Sequence, residues 1–518
     1  MTANLFELLW SNTADRPDQV CLRLADGAVL TYGDLERRSA ELAGALVAAG
    51  AVVGDRVVVQ VEKSADAVAL YLACLRAGLV HVPLNTAYTT AEVGYFLDDA
   101  EPRVFVCRTE TEEALAPVAA EAGVPAVLTL GTDGGGTLVQ AADAASPSTA
   151  VERRQPDDLA ALLYTSGTTG RSKGAMLSHG NLASNARALH QVWGFERGDV
   201  LLHILPIFHV HGLFVALHPA WLNGSEIVFL PRFDPSEVRR LLPAASVVMG
   251  VPTHYARLLA DPAFGPDDCR SVRLFTCGSA PLTEGVFRAF TERTGSVICE
   301  RYGMTEAGII TSNPLHGERI AGTVGYPLPG VEVRVVDDQR RPVGPEEDGI
   351  VEARGPGIFA GYWRQPAKTA EALHPDGWLS TGDVGTLAPD GRLTLAGRAT
   401  DLIISGGYNI YPKEIELVLD EVPGVAETAV VGTPDADFGE SVTAFVVVRP
   451  GEAVGEETVR RSIEGRLARF KHPRRYVFVD DLPRNAMGKV QKALLRQEAR
   501  EGGTESLSPS ATPTNRAG

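Results

Sequence analysis

Along the first 130 positions the apolar residues switch between a helical and a strand period. Leu35, Leu42 and Leu46 recur at helical spacing behind Thr31-Tyr-Gly-Asp34. Residues 57–61, Val-Val-Val-Gln-Val, follow the turn Gly54-Asp55 as a short β-branched strand. Ser64 offers a cap for a helix running to Ala77, and residues 80–84 and 104–107 read as further strands. Such alternation predicts an α/β sheet with helices on its faces.

The pattern lapses over residues 131–158, which are rich in Gly, Ala, Ser and Asp and read as a surface linker. It resumes from Asp199 to Cys299, with strands expected at 200–205, 227–230, 247–250 and 274–277. Residues 320–395 alternate in and out and are dense in glycine, which predicts a small β-rich subdomain. From about Thr400 helix is expected at 412–420 and 456–468, and strand at 429–432 and 441–448. The expected organisation is a large N-terminal domain, 1–399, a small α+β domain, 400–501, and a disordered tail, 502–518, poor in core-forming residues.

A chain of 518 residues is too long for one ordinary core. Its 45% hydrophobic and 22% charged composition is that of a globular enzyme. No long uncharged apolar span suggests a membrane helix, and acids Glu7 and Asp15 interrupt the start, which argues against a secretory signal. The six cysteines form no CxxC pair and read as buried thiols of a cytoplasmic protein. A net charge of −17 argues against a general nucleic-acid binder, so an anionic substrate has to meet local basic groups.

The densest chemistry lies at Leu163-Tyr-Thr-Ser-Gly-Thr-Thr-Gly-Arg-Ser-Lys-Gly174. Apolar residues lead into glycines, hydroxyls, one arginine and one lysine. Small residues let a backbone approach a ligand, and successive N–H groups make an anion nest. A Gly/Thr surface turn has the same composition. The stretch is not the common phosphate loop, because only two residues separate Gly170 from Lys173 and Gly174 follows the lysine.

Read as a whole, this word resembles the phosphate loop of the adenylate-forming superfamily of acyl-CoA synthetases, peptide-synthetase adenylation domains and luciferases. Further words follow in that family's order: Leu205-Pro-Ile-Phe-His-Val-His-Gly212, Arg301-Tyr-Gly-Met-Thr-Glu306, Ser380-Thr-Gly-Asp383, Gly397-Arg398 through Glu416, and Pro483-Arg-Asn-Ala-Met-Gly-Lys489. The resemblance implies a large domain of three subdomains, a mobile C-terminal domain, and two half-reactions. A carboxylate attacks the α-phosphate of ATP, and the thiol of coenzyme A then displaces AMP.

The resemblance also assigns roles. Thr165, Ser166, Gly167, Thr168, Thr169, Gly170, Arg171, Ser172 and Lys173 cradle the phosphates. Thr168 and Glu306 hold Mg²⁺, which prefers oxygen ligands. Gly278, Ser279, Ala280, Pro281 and Tyr302, continuing into Gly303, Met304 and Thr305, wall the adenine. Asp383 and Arg398 take the ribose hydroxyls. Lys489 is the catalytic lysine, a point charge bridging carboxylate and α-phosphate. Ser405, Gly406 and Gly407 line the thiol's tunnel. The hinge falls on Thr400, where relatives usually carry Asp or Lys. Arg466, Arg469, Lys471, Arg474 and Arg475 could meet the phosphates of coenzyme A, or simply form a solvated helix end.

For the acid itself, His209 follows Phe208 where amino-acid adenylators carry an aspartate, which counts against an amino acid. Arg301 stands where enzymes for plain acyl chains often carry a small residue. A pocket arginine is costly unless paired, and a second substrate carboxylate would pair it in bidentate fashion. An ion pair with Glu300 or Glu306 is the alternative. Arg232 is a candidate second anchor beside His209 and Ser279. The words around these residues are similar to those of malonyl-CoA synthetases. The expected activity is therefore ligation of malonate or methylmalonate to coenzyme A. The competing readings are a short- or medium-chain acyl-CoA ligase, an enzyme loading a carrier protein in trans, and a non-catalytic nucleotide binder.

Overall fold

The computed structural model describes residues 3–165, 172–405, 408–435, 438–485 and 488–501. Two compact units divide the chain, with the break between Leu395 and Ala396. The fold is mixed α/β, with a large N-terminal sheet domain and a small C-terminal domain.

In the large unit the expected elements form for local reasons. The Thr31 hydroxyl accepts from the Asp34 amide at 3.0 Å while Asp34 accepts from the Thr31 amide, a reciprocal cap on helix Tyr32–Ala48. Ser64 caps helix Ala65–Arg76 with its hydroxyl, which accepts from the Ala67 amide at 3.1 Å. Strand Arg56–Gln60 is parallel to Val80–Pro83 and to Val104–Cys107, and these belong to a six-stranded sheet. Its last pair, Leu159–Thr165 and Lys173–Ser178, is antiparallel with Thr165 opposite Lys173.

A second, thirteen-stranded sheet changes character along its width. Strands Glu226–Phe229, Val200–His203, Val247–Gly250, Leu274–Cys277 and Cys299–Met304 are parallel neighbours in that order. From Cys299–Met304 onward the pairing becomes antiparallel, through Gly308–Ser312 and Thr323–Pro327 into the β-rich region. Ligands of open α/β sheets bind outside the carboxyl ends of parallel strands. The strand at the switch carries Arg301 and Tyr302.

Two expectations need correction. Residues 131–158 are not simply linker: helix Thr137–Ala144 forms there, with Leu138 and Ala142 buried, and packs on helix Tyr32–Ala48. Two apolar residues four apart are too short a pattern to stand out from a Gly- and Ser-rich background. The helix expected over 456–468 covers only Glu456–Ile463, because Glu464 is extended and Gly465 turns with φ 74°. All six cysteines are buried and unbridged. No helix among the described residues is long and apolar enough to cross a membrane.

The small unit folds a five-stranded sheet around strands Val425–Asp435 and Gly439–Val448. Asp420, at the end of helix Pro412–Asp420, accepts from the Thr428 hydroxyl at 2.8 Å. Burial pushes its carboxyl up to about 7, and Glu416 adds to the rise. A carboxyl whose folded value is raised binds its proton more tightly in the folded state, so stability falls as pH rises from about 4 to about 7. Asp420→Asn should therefore raise the thermal midpoint more at pH 8 than at pH 5. The difference is on the order of 1–3 kcal/mol. Differential scanning calorimetry at the two pH values checks it; an equal change at both would contradict the assignment.

Candidate active site

Thr165 and Lys173 are paired across the hairpin of the six-stranded sheet; Thr165 approaches buried Glu306, and Lys173 the ring of Tyr362. The Tyr362 hydroxyl donates to Glu306 Oε1 at 2.9 Å and the Thr165 hydroxyl approaches the same oxygen at 3.5 Å. The Lys173 ammonium lies 4.2 Å from the centre of the Tyr362 ring. The Glu306 backbone is tied at its carbonyl by the Phe359 amide at 2.8 Å. A buried carboxylate, hydroxyls and a lysine beside one another fit a polyphosphate with its Mg²⁺. Mg²⁺ typically takes one or two protein carboxylates and completes its shell with water and phosphate oxygens. Ser166, Gly167, Thr168, Thr169, Gly170 and Arg171 lie outside the described residues, so the second expected metal ligand, Thr168, is not placed. Ser172 precedes the returning strand, and its carbonyl accepts from Tyr95 at 2.6 Å.

Tyr302 and Asp383, given separate roles from the sequence, meet in the structure. Both are buried, and the tyrosine hydroxyl donates to Asp383 Oδ2 at 2.5 Å. Asp383 is anchored through its amide to the Thr381 hydroxyl at 3.1 Å. A carboxylate fixed this way can accept from adjacent ribose hydroxyls. Gly303 allows no side chain, because a Cβ there would stand 2.1 Å from the Gly308 carbonyl oxygen. Met304 and Thr305 are half-buried and follow directly, as are Ser279 and Ala280, whereas Pro281 is exposed. Asp383→Ala should raise KM for ATP with kcat less affected, since a ribose contact exists in ground and transition states alike. Initial rates against ATP concentration test this, and an unchanged KM removes Asp383 from the site.

Arg301 is the unusual group. It is 5% exposed, and its Nε and Nη2 are buried with no hydrogen-bond partner. Desolvation pulls it down to about 10, which leaves it charged at neutral pH. The alternative pairing with Glu300 or Glu306 is not realised. Glu306 is engaged by Tyr362, and Glu300, on the opposite face of the strand, accepts from the Gly322 amide at 3.3 Å. Around Arg301 stand further basic groups. His211 Nδ1 lies 3.1 Å from the Ser279 hydroxyl, and its buried Nε2 has no partner. Burial, with the Arg301 charge next in weight, holds His211 well below the usual histidine value. His209 is likewise lowered, to about 4, by burial. Both imidazoles are thus neutral at pH 7. The wide π-helical turn His211–Ala216 starts at this point, and Gly212 is packed so closely on Pro206 that no Cβ fits. Ser279 takes a left-handed φ of 70°, uncommon for a residue with a side chain.

Arg232 does not join this group. It is exposed and lines a cavity of about 240 Å³ with Lys63, Phe208, Phe233 and His254, a lining that lacks Arg301. The cavity opens at the carboxyl ends of parallel strands from both sheets. Lys63 donates to the His203 carbonyl at 3.0 Å, and burial pushes its ammonium well below the usual value.

The remaining residues lie on the small unit. Lys489 is exposed on a turn closed by Asn485, whose side chain accepts from the Lys489 amide at 3.0 Å. Arg398 ends strand Leu393–Arg398, and Thr400 sits in the short turn Ala399–Asp401. Ser405 is a buried strand residue, while Gly406 and Gly407 lie outside the described residues. The basic run is mostly neutralised: Arg466 pairs with Glu421, Lys471 with Glu414 and Arg474 with Asp435, and Arg475 donates to the Ala499 carbonyl. Tyr362 and Lys63 escape sequence reasoning because no local word marks them, and His211, although inside the word Leu205–Gly212, is passed over there for His209; only tertiary structure brings them out.

The chain belongs to the AMP-binding enzyme family, whose model matches residues 9–363; the C-terminal domain model of the same enzymes matches residues 414–489. It is an AMP-forming acyl-CoA synthetase, with ATP and coenzyme A as its substrates. A feruloyl-CoA synthase from Amycolatopsis sp is 36% identical over 91% of this chain and 94% of its own. The mitochondrial malonate–CoA ligase of Bos taurus is 35% identical, over 90% and 86%. The crystal structure of ATP-bound MatB from Rhodopseudomonas palustris superimposes with a TM-score of 0.94 at 48% identity, covering 97% of this chain and 99% of that one.

Proposed function

We propose that this synthetase activates a small dicarboxylate, malonate or its methyl-branched form, and passes the acyl group to coenzyme A. The observation that carries this reading is the Arg301 guanidinium, buried and charged with two nitrogens unsatisfied. Such a group is costly until an anion reaches it. With the reacting carboxylate directed at the α-phosphate, the second carboxylate of a three-carbon diacid falls within reach of Arg301. The guanidinium then offers two parallel hydrogen bonds. His211 complements it: with the Ser279 hydroxyl donating to Nδ1, the proton sits on Nε2 and serves as a further donor to the same carboxylate.

In the first half-reaction the acid's carboxylate oxygen attacks the α-phosphorus and pyrophosphate leaves. Lys173 and the hydroxyls beside it hold the leaving phosphates, and Glu306 with Thr168 would hold Mg²⁺, which neutralises charge on them when bound. Lys489 offsets repulsion between the two anions as they approach. In the second half-reaction the thiol attacks the acyl carbon and AMP leaves with the electron pair. The cavity lined by Lys63, Arg232 and His254 suits the linear, amide-bearing arm that delivers this thiol. A malonate–CoA ligase and MatB among the relatives support the reading. The feruloyl-CoA synthase, equally similar by identity, names an aromatic monoacid that gives Arg301 no partner. Pyrophosphate release with malonate, methylmalonate, butyrate, ferulate and amino acids tests the proposal. Release is expected with the first two; preference for butyrate or ferulate would overturn it and leave only the synthetase class.

A further inference from the structure

We infer that Gly278 is a specificity-determining position: its missing side chain provides the seat on which the Arg301 guanidinium lies. The inference rests on the dicarboxylate reading above. Strands Leu274–Cys277 and Cys299–Met304 are parallel, with Cys277 beside Glu300. Gly278 and Arg301 are the residues that follow this last pair on the two segments. Neighbouring residues in register present their side chains to one face of a sheet. The arginine therefore leans across a position that has no side chain.

The fit is close. A Cβ at residue 278 would stand 2.4 Å from both Cζ and Nη1 of Arg301 and 2.7 Å from its Nε. Glycine is not required here for backbone reasons, because Gly278 is not among the residues of positive φ. The need is for space alone. What an added methyl would strike is the tip of a long side chain, so the guanidinium gives way while the strand keeps its place. Buried Cys277, Cys299 and Tyr255 stand near it. Ser279, the next residue, is held by its contact with His211. One methyl group at 278 thus shifts the anion-binding fork away from the position a second carboxylate has to reach. Residues 278 and 301 act as one unit: an arginine at 301 is useful only over a glycine at 278.

The test is a double-mutant cycle on the full-length enzyme, with kcat/KM measured for malonate and for butyrate. Taking the ratio of the two cancels any effect of residue 278 on the nucleotide. Gly278→Ala should lower the malonate-to-butyrate ratio by about 30-fold or more, approaching that of Arg301→Ala. In the Arg301→Ala background the same substitution should change the ratio by less than about threefold. Thermal midpoints give a second readout: Gly278→Ala should lower the midpoint when Arg301 is present and leave it nearly unchanged when residue 301 is alanine. A ratio unaffected by Gly278→Ala, or equal effects in both backgrounds, overturns the inference while leaving the dicarboxylate reading intact if Arg301→Ala alone abolishes the preference. A wild type without preference for malonate overturns the reading instead, and the midpoint cycle then still decides whether the glycine seats the arginine.

Discussion

Replacing Lys489 by alanine should reduce adenylation by about three orders of magnitude, as for a lost electrostatic stabiliser worth roughly 4 kcal/mol. Two anions, a carboxylate and the α-phosphate, have to meet, and a single ammonium between them offsets their repulsion. The side chain is exposed on the small unit, on a turn that the Asn485 side chain and backbone both close. The bonds that close the turn with Asn485 are made by the Lys489 backbone, which alanine keeps, so the variant should fold. The family resemblance implies a C-terminal domain used in two orientations, and the lysine is proposed to serve only the first. Thioester formation from supplied malonyl-adenylate and coenzyme A should then stay within about tenfold of wild type. Rapid-quench measurement of each half-reaction separates the outcomes. Equal damage to both would argue against a role confined to adenylation.

Arg301→Ala should lower kcat/KM for malonate by about two or more orders of magnitude and raise relative activity on butyrate. The reasoning is one of desolvation. A second carboxylate entering the acyl pocket without a cation would cost roughly 3–5 kcal/mol, the amount lost when one partner of a buried pair is removed. Conversely, a monoacid leaves the guanidinium in place and unsatisfied, so the wild type rejects it. Arg301→Lys should recover little, because an ammonium lacks the planar fork. A stability measurement guards against a trivial outcome. Arg301→Met keeps the volume and removes an uncompensated buried charge, so its thermal midpoint should rise rather than fall. Loss of malonate activity together with a higher midpoint identifies a residue retained for binding; loss with a lower midpoint would point to a structural role.

The two predictions draw on different layers of the sequence. Lys489, Glu306 and Asp383 were legible because each sits in a short word whose spacing survives reading without a fold. The α/β alternation was legible for the same reason, as caps at Thr31 and Ser64 and buried β-branched runs are local signals. Helix Thr137–Ala144 was not, since its buried face amounts to Leu138 and Ala142 in a polar stretch. Arg301 was legible as an anomaly, but not its surroundings. Strand alternation sends Glu300 to the opposite face, and that is why the alternative, an ion pair of Arg301 with Glu300, does not form. Tyr362 reaches Glu306 from 56 positions away, and His211 reaches Ser279 from 68. Such partners are set by sheet register and by the π-helical turn, neither of which leaves a mark in composition. Arg232, a basic residue in a plausible word, is exposed on a cavity whose lining does not include Arg301.

A competition assay tests the central claim most directly. Wild-type enzyme is given ATP, Mg²⁺, coenzyme A and equal concentrations of malonate and butyrate, and the two thioester products are quantified by mass spectrometry at low conversion. With Arg301 paired only by a second carboxylate, malonyl-CoA should exceed butyryl-CoA by about 100-fold or more. Butyryl-CoA formed in equal or greater amount would contradict the assignment of Arg301 to the substrate.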